Sequence, residues 1–206
     1  MRNKALLIFR IFAVAVSLFG MSYRLIIDPI SEGGFLDNLG YFTIQSGLMV
    51  TIIFILLLIS QIRGKPESPP PAVRSAVLLY IIITSAIFLV LINNSVNFTG
   101  LSKAVLYINH LLTAILLIID NVISIKPKIY KWKLLFYWMI YPVAYLIFSI
   151  VEGLAFCRFR YPFLNFNEMG IYSYFLIIFM LVLIFIGTGA LIIFLNKIYR
   201  KTPKQS

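Results

Sequence analysis

The sequence predicts an all-α polytopic membrane protein, a bundle of six transmembrane helices with both termini in the cytoplasm. Three observations carry that expectation. The 206 residues are 61% hydrophobic and 12% charged, where a soluble domain has roughly 25% charged residues, and the mean hydropathy is +0.98. The apolar residues form six runs, each near the ~20 residues that cross a hydrocarbon core of about 30 Å. Lysine and arginine collect in alternate connections between those runs.

The first span, 5-26, follows Arg2 and Lys4. A basic start before an apolar run imitates a signal peptide, but no A-x-A-like site follows and Arg10 interrupts the run, so a retained helix is expected. Asp28-Pro29 and Gly33-Gly34 close it. The second span, 39-62, stops at Gly64 to Pro71, where Pro66 and the Pro69-Pro70-Pro71 run break any helix. The third, 75-93, ends in Asn93 to Gly100, and the fourth, 103-124, in Lys126 to Lys133. The fifth, 134-154, contains Pro142, which a spanning helix tolerates. Ala155 to Gly170 lead to the sixth, 172-196. The six spans and short connections consume the chain, so one domain over 1-206 is expected, without a separate soluble part.

Arg2 and Lys4, then Arg63, Lys65 and Arg74, then Lys126, Lys128, Lys131 and Lys133, then Lys197, Arg200, Lys201 and Lys204 all fall on one side of this arrangement. The opposite connections hold only Lys103, Arg158 and Arg160, with Asp28, Glu32, Asp37 and Glu168. By the positive-inside rule both termini face the cytoplasm. The absence of an organelle signal and the basic inner loops point to a bacterial cell membrane. Two sequons, Asn93-Asn94-Ser95 and Asn97-Phe98-Thr99, occupy an outer connection and carry meaning only in a glycosylating host.

The net charge of +11 does not indicate nucleic acid, because the cations sit at span ends rather than in one patch interleaved with aromatics. Cys157, the single cysteine, has no disulfide partner and no metal-ligand spacing. Phosphate loops, paired metal ligands and dinucleotide fingerprints are absent, so no cofactor is expected. Membrane lipids are the expected partners.

Ionisable groups inside spans are costly and mark candidate sites. In the first span Arg10, Ser17 and Arg24 recur every seven residues, within about 40° on a helix. The fourth span places His110, Thr113, Leu117 and Asp120 within about 80°, and the fifth groups Tyr141, Tyr145, Ser149 and Glu152. By helical rise Thr43 lies about 6 Å and His110 about 10 Å below the outer boundary. Thr43, His110, Arg24 and Glu152 are therefore expected in one outer-leaflet cavity, with Arg10 and Asp120 in the inner half. Each has a structural alternative. The arginines can snorkel to an interface, Asp120 can pair with Arg10, Thr43 can bond its own helix, and His110 can be a packing residue.

A threonine hydroxyl becomes a nucleophile when a base such as imidazole takes its proton. Thr43 and His110 are suitable types at similar depth for attack on a lipid ester, with Gln45, Ser46 or the Arg24 cation as oxyanion donors.

Tyr41-Phe42-Thr43-Ile44-Gln45-Ser46, Asn109-His110 with Asp120 ten residues on, and Arg160-Tyr161-Pro162-Phe163-Leu164 together resemble motifs of the androgen-induced and androgen-dependent-TFPI-regulating protein family and of related microbial six-span membrane proteins. The motifs run in order across most of the chain. Leu117 and Asp120 stand where the animal proteins carry a proline and then a glutamate, Asn165 where an acid usually follows, and Gly47 where the microbial group has asparagine. The animal members are multi-pass hydrolases of fatty-acid esters of hydroxy fatty acids, so the resemblance implies a threonine nucleophile at Thr43 and a histidine base at His110. Arg160 and Tyr161 would then close the mouth of the site, and a fatty-acyl ester would be the substrate. The competing expectation is a non-enzymatic membrane protein, a small transporter or a scaffold, in which Arg10, Arg24, Asp120 and Glu152 stabilise the bundle or line a path.

Overall fold

A bilayer core offers no water to backbone N–H and C=O groups, so a chain that crosses it must satisfy them within helices or a closed barrel, and continuous apolar runs of about 20 residues suit helices. The computed structural model describes residues 4–28, 33–66, 68–92 and 99–199, and among them there are helices and no strand. The two sequons, Glu32 and the basic residues Arg2, Arg200, Lys201 and Lys204 lie outside the described residues, apart from Thr99.

Six helices are long and apolar enough to cross a membrane: α1 Lys4–Ile27, α3 Phe42–Ile62, α4 Pro71–Leu91, α5 Gly100–Ser124, α6 Lys133–Phe156 and α8 Ile171–Ile198. Two short ones, α2 Gly34–Asn38 and α7 Phe166–Met169, occupy connections. The predicted spans all appear, with ends displaced by a few residues. The largest displacement is at α4, which starts at Pro71 rather than 75. Proline suits the first helical turn because its missing N–H would have no helical partner there, and the Pro70 carbonyl receives the amides of Val73 and Arg74. The start of α3 is also later than expected. The Asn38 side chain turns back onto the Gly34 carbonyl at 2.7 Å, which holds α2 as a separate turn, and the Gly40 and Tyr41 amides bond Asp37 and Asn38 carbonyls.

The chain forms two compact units, Met1–Ile125 and Lys126–Ser206. In the first, α1 packs on α3, α3 on α4, α4 on α5, and α5 returns to α1. Neighbours run antiparallel, because the starts of α1 and α4 meet the ends of α3 and α5 through Arg10, Gln61, Arg74 and Asp120. Ala13, Val50, Phe54, Leu57, Leu79, Ile81 and Leu117 fill its centre. In the second unit α6 packs along α8. Pro142 lies inside α6 without ending it, and Cys157 in the left-handed region (φ 51°) caps its end by donating to the Gly153 carbonyl at 3.1 Å.

In three places an α-helix passes into a π-helical turn: Tyr23–Ile27 ends α1, Phe88–Ile92 ends α4, and Ile108–Leu112 interrupts α5. All three belong to the first unit, toward the end opposite Lys4. There α1 and α5 approach closely at Gly20, whose carbonyl accepts from Asn109 Nδ2 at 2.9 Å. A Cβ on Gly20 would run into the Asn109 carboxamide and sit 3.1 Å from Ile108 Cγ2. Gly20→Val is therefore expected to cost roughly 1–3 kcal/mol by overpacking, seen as a lowered unfolding midpoint in detergent, whereas the same change at Gly187, where a Cβ meets nothing, leaves the midpoint near the wild-type value.

Candidate active site around His110

The π-turn of α5 carries His110 on a helix whose ordinary i→i−4 ladder is interrupted, a distortion common at functional sites. Hydroxyls take up the carbonyls concerned. Thr113 Oγ1 donates to the Asn109 carbonyl at 2.7 Å, and Ser85 Oγ, shared with the Ile81 carbonyl at 2.7 Å, contacts the His110 carbonyl. The imidazole is 8% exposed and lies flat on the Phe88 ring, with centroids 4.4 Å apart and planes 8° from parallel. Phe88 belongs to the π-turn of α4, so two irregular turns meet through stacked rings. Nδ1 of His110 is buried without a hydrogen-bond partner among the described residues.

Arg24 belongs to the third π-turn, at the end of α1. Its Nη1 donates to both the carbonyl and the carboxylate of Asp28, each at 3.0 Å, and its guanidinium is near enough to His110 to act on the ring electrostatically. Tyr23 and Ser102 join the same ends of α1 and α5 through their hydroxyls at 3.2 Å.

Thr43 is half-buried in the first turn of α3, and α3 packs against the turn that carries His110. The two proposed amide and hydroxyl donors beside it are already engaged. Gln45 Nε2 donates to the Leu39 carbonyl at 2.7 Å. Ser46 Oγ shares a hydrogen bond with Thr84 Oγ1 at 3.1 Å and reaches the Thr43 carbonyl at 3.1 Å, which pins the Thr43 turn to α4. The first unit thus brings Thr43, Gln45, Ser46, Arg24 and His110 to one end.

Glu152, Arg160 and Tyr161 belong to the second unit. The connection after α6 folds back so that Arg160 Nε meets Glu152 Oε2 at 2.8 Å, and Nη2 contacts Oε1. Arg158 adds a longer contact of 3.9 Å. Tyr161 is buried and stacks on Phe163, with centroids 5.1 Å apart. Among the described residues no group of three His, Cys, Asp or Glu side chains is placed to hold a metal ion.

A second polar cluster occupies the Lys4 end of the first unit. Asp120, wholly buried, accepts from Arg10 Nε at 2.8 Å and Nη2 at 3.2 Å, and from Arg74 Nη1 at 3.3 Å. Arg10 continues to Gln61 Oε1 at 3.1 Å and Ser124 Oγ at 2.9 Å. The expected Arg10–Asp120 pairing is therefore present. Arg74 was expected in a connection; the earlier start of α4 puts it one turn inside the helix, 1% exposed. The Pro69-Pro70-Pro71 run was the available signal, since proline favours the first turn of a helix as well as breaking one. Phe88, Ser85 and Thr84 were missed entirely, because an aromatic or hydroxyl in an apolar span carries no mark of its partner.

Compared with family models, curated proteins and solved structures, the chain matches none.

Replacing Asp120 by asparagine leaves two buried guanidiniums without their carboxylate, and the loss of one partner of a buried ionic group costs about 3–5 kcal/mol. Asp120→Asn is expected to lower the detergent unfolding midpoint far more than Gln61→Ala, which removes one contact worth roughly 1–3 kcal/mol. Equal shifts for the two variants would show that the carboxylate does not hold the cluster.

Proposed function

We propose that this chain is a multi-pass protein of the cell membrane, with cytoplasmic termini, that hydrolyses lipid or fatty-acid esters within the bilayer. The observation that carries this reading is the setting of His110. The sole histidine of the chain is buried, its ring is stacked on Phe88, and its Nδ1 has no hydrogen-bond partner among the described residues. A packing histidine normally spends both ring nitrogens on hydrogen bonds when buried. One held with an open nitrogen can accept a hydrogen bond from a hydroxyl brought to it.

In this reading Thr43 Oγ1 attacks the acyl carbonyl carbon while His110 takes the hydroxyl proton. The tetrahedral oxyanion is stabilised by the Arg24 cation in a water-poor setting, where such stabilisation is strongest. Collapse expels the alcohol, which recovers the proton from His110, and water then attacks the acyl-threonine with His110 again as base. Gln45 and Ser46 act here by bracing the Thr43 turn, since their donors are engaged with Leu39 and the Thr84 hydroxyl. The resemblance of the Thr43, His110 and Arg160 motifs to the androgen-induced and androgen-dependent-TFPI-regulating proteins supports the same assignment.

A second reading, a non-enzymatic transporter or scaffold, draws support from the ion pairs Arg10–Asp120–Arg74 and Glu152–Arg160, in which intramembrane charges serve one another.

The purified protein is expected to turn over long-chain acyl esters and to be labelled by a fluorophosphonate lipid probe. Thr43→Ala is expected to reduce labelling to background, and His110→Ala to slow turnover by about a hundredfold or more, with both variants retaining the wild-type unfolding midpoint to within a few degrees. Undiminished turnover in both would leave the second reading.

A further inference from the structure

The connection from Lys126 to Lys133 contains Lys126, Lys128, Lys131 and Lys133, all exposed, and no acidic residue. Among the described residues none of the four takes part in an ion pair of the structure. A basic run of this kind is ordinarily a solvated loop of no fixed form. Here its backbone is clasped by one side chain of α8. Asn196 Nδ2 donates to the Lys126 carbonyl at 3.0 Å, Asn196 Oδ1 accepts from the Ile129 and Tyr130 amides at 3.1 and 3.2 Å, and the Asn196 carbonyl accepts from the Lys128 amide at 2.9 Å. Lys128, with φ 60°, makes the reversal that lets one amide serve both flanks of the loop.

The aromatic residues at this end sort by depth. Tyr130 is buried and meets Trp138 edge-on at 5.7 Å. Trp132 is 51% exposed, with Lys197 Nζ 4.7 Å from its ring centroid. Tryptophan beside lysine at the end of a spanning helix marks the headgroup level of a bilayer, and α6 starts at the next residue, Lys133. A loop so placed carries its lysines at headgroup depth, where each basic residue attracts anionic lipid.

We infer that the Lys126–Lys133 loop, held in shape by Asn196, is a binding surface for the phosphate of an anionic phospholipid, with Trp132 and Lys197 at its edge. The inference is independent of the ester-hydrolase reading, whose reacting and stabilising residues Thr43, His110 and Arg24 lie in the first unit.

Trp132 serves as the reporter, since the only other tryptophan, Trp138, is 3% exposed. The protein is reconstituted in phosphatidylcholine vesicles containing equal mole fractions of either brominated phosphatidylglycerol or brominated phosphatidylcholine. Phosphatidylglycerol is expected to quench tryptophan emission at least about twofold more strongly, and Trp132→Phe removes that excess. The combined change Lys126→Gln, Lys128→Gln and Lys131→Gln, confined to exposed side chains, is expected to abolish it. Asn196→Ala, which keeps every lysine, is expected to reduce it by half or more. Equal quenching by the two lipids overturns the inference, as does an excess that survives the triple substitution or the Asn196 change. So does loss of the excess on adding inorganic phosphate but not potassium chloride of the same ionic strength, since the surface would then select free phosphate.

Discussion

One carboxylate, Asp120, organises the first unit. It lies on α5, accepts from Arg10 of α1 and Arg74 of α4, and through Arg10 is tied to Gln61 of α3. Lipid tails are as apolar as leucine, so burial gives spanning helices little reason to prefer one rotation over another, and packing and polar contacts choose instead. A guanidinium has a fixed planar fork, and two such forks on one aspartate permit few arrangements of the helices that carry them. The Lys4 end of all four helices is thereby set in rotation and depth at once.

The opposite end is built differently. Hydroxyl-to-carbonyl bonds, an amide on the Gly20 carbonyl and a ring stack join the helices there, beside the Arg24–Asp28 ion pair local to the end of α1, and three helices depart from α geometry. Such contacts are individually weaker than charged ones, and they leave polar atoms such as His110 Nδ1 open to a ligand.

The six spans were legible because apolar length is a strong signal: no other residues compete with it over twenty positions. The polar stripe of Arg10 and the depth of Asp120 were legible from helical rise, and so was their pairing. Arg74 was not, because a cation beside three prolines reads as a connection until Pro71 is recognised as a first-turn residue. The short helix α2 was hidden by Gly33-Gly34, which read as a break, while the Asn38 side chain that organises it bonds a carbonyl four residues back. Arg160 and Glu152 were each visible as charges, but their meeting depends on how the Cys157 to Tyr161 segment reverses. For the candidate site, Thr43, Arg24 and His110 were nameable by type and depth. Phe88, which orients the imidazole, was not, since one phenylalanine among eighteen carries no distinguishing mark.

The π-turn at Ile108–Leu112 also acts on the numbering of the helix itself. Widening one turn takes up an extra residue without a full residue's advance around the axis, so the segments before and after it are out of phase by about 100°. In effect α5 is spliced from two helices in different frames, with Asn109 meeting α1 from within the turn that joins them and Asp120 meeting it from the segment beyond. Deleting a single residue from that turn would leave composition and apolar length almost untouched, yet it would swing Asn109 away from Gly20 while Asp120 stayed on its arginines. The position of the histidine is thus encoded by a residue count as much as by any contact it makes.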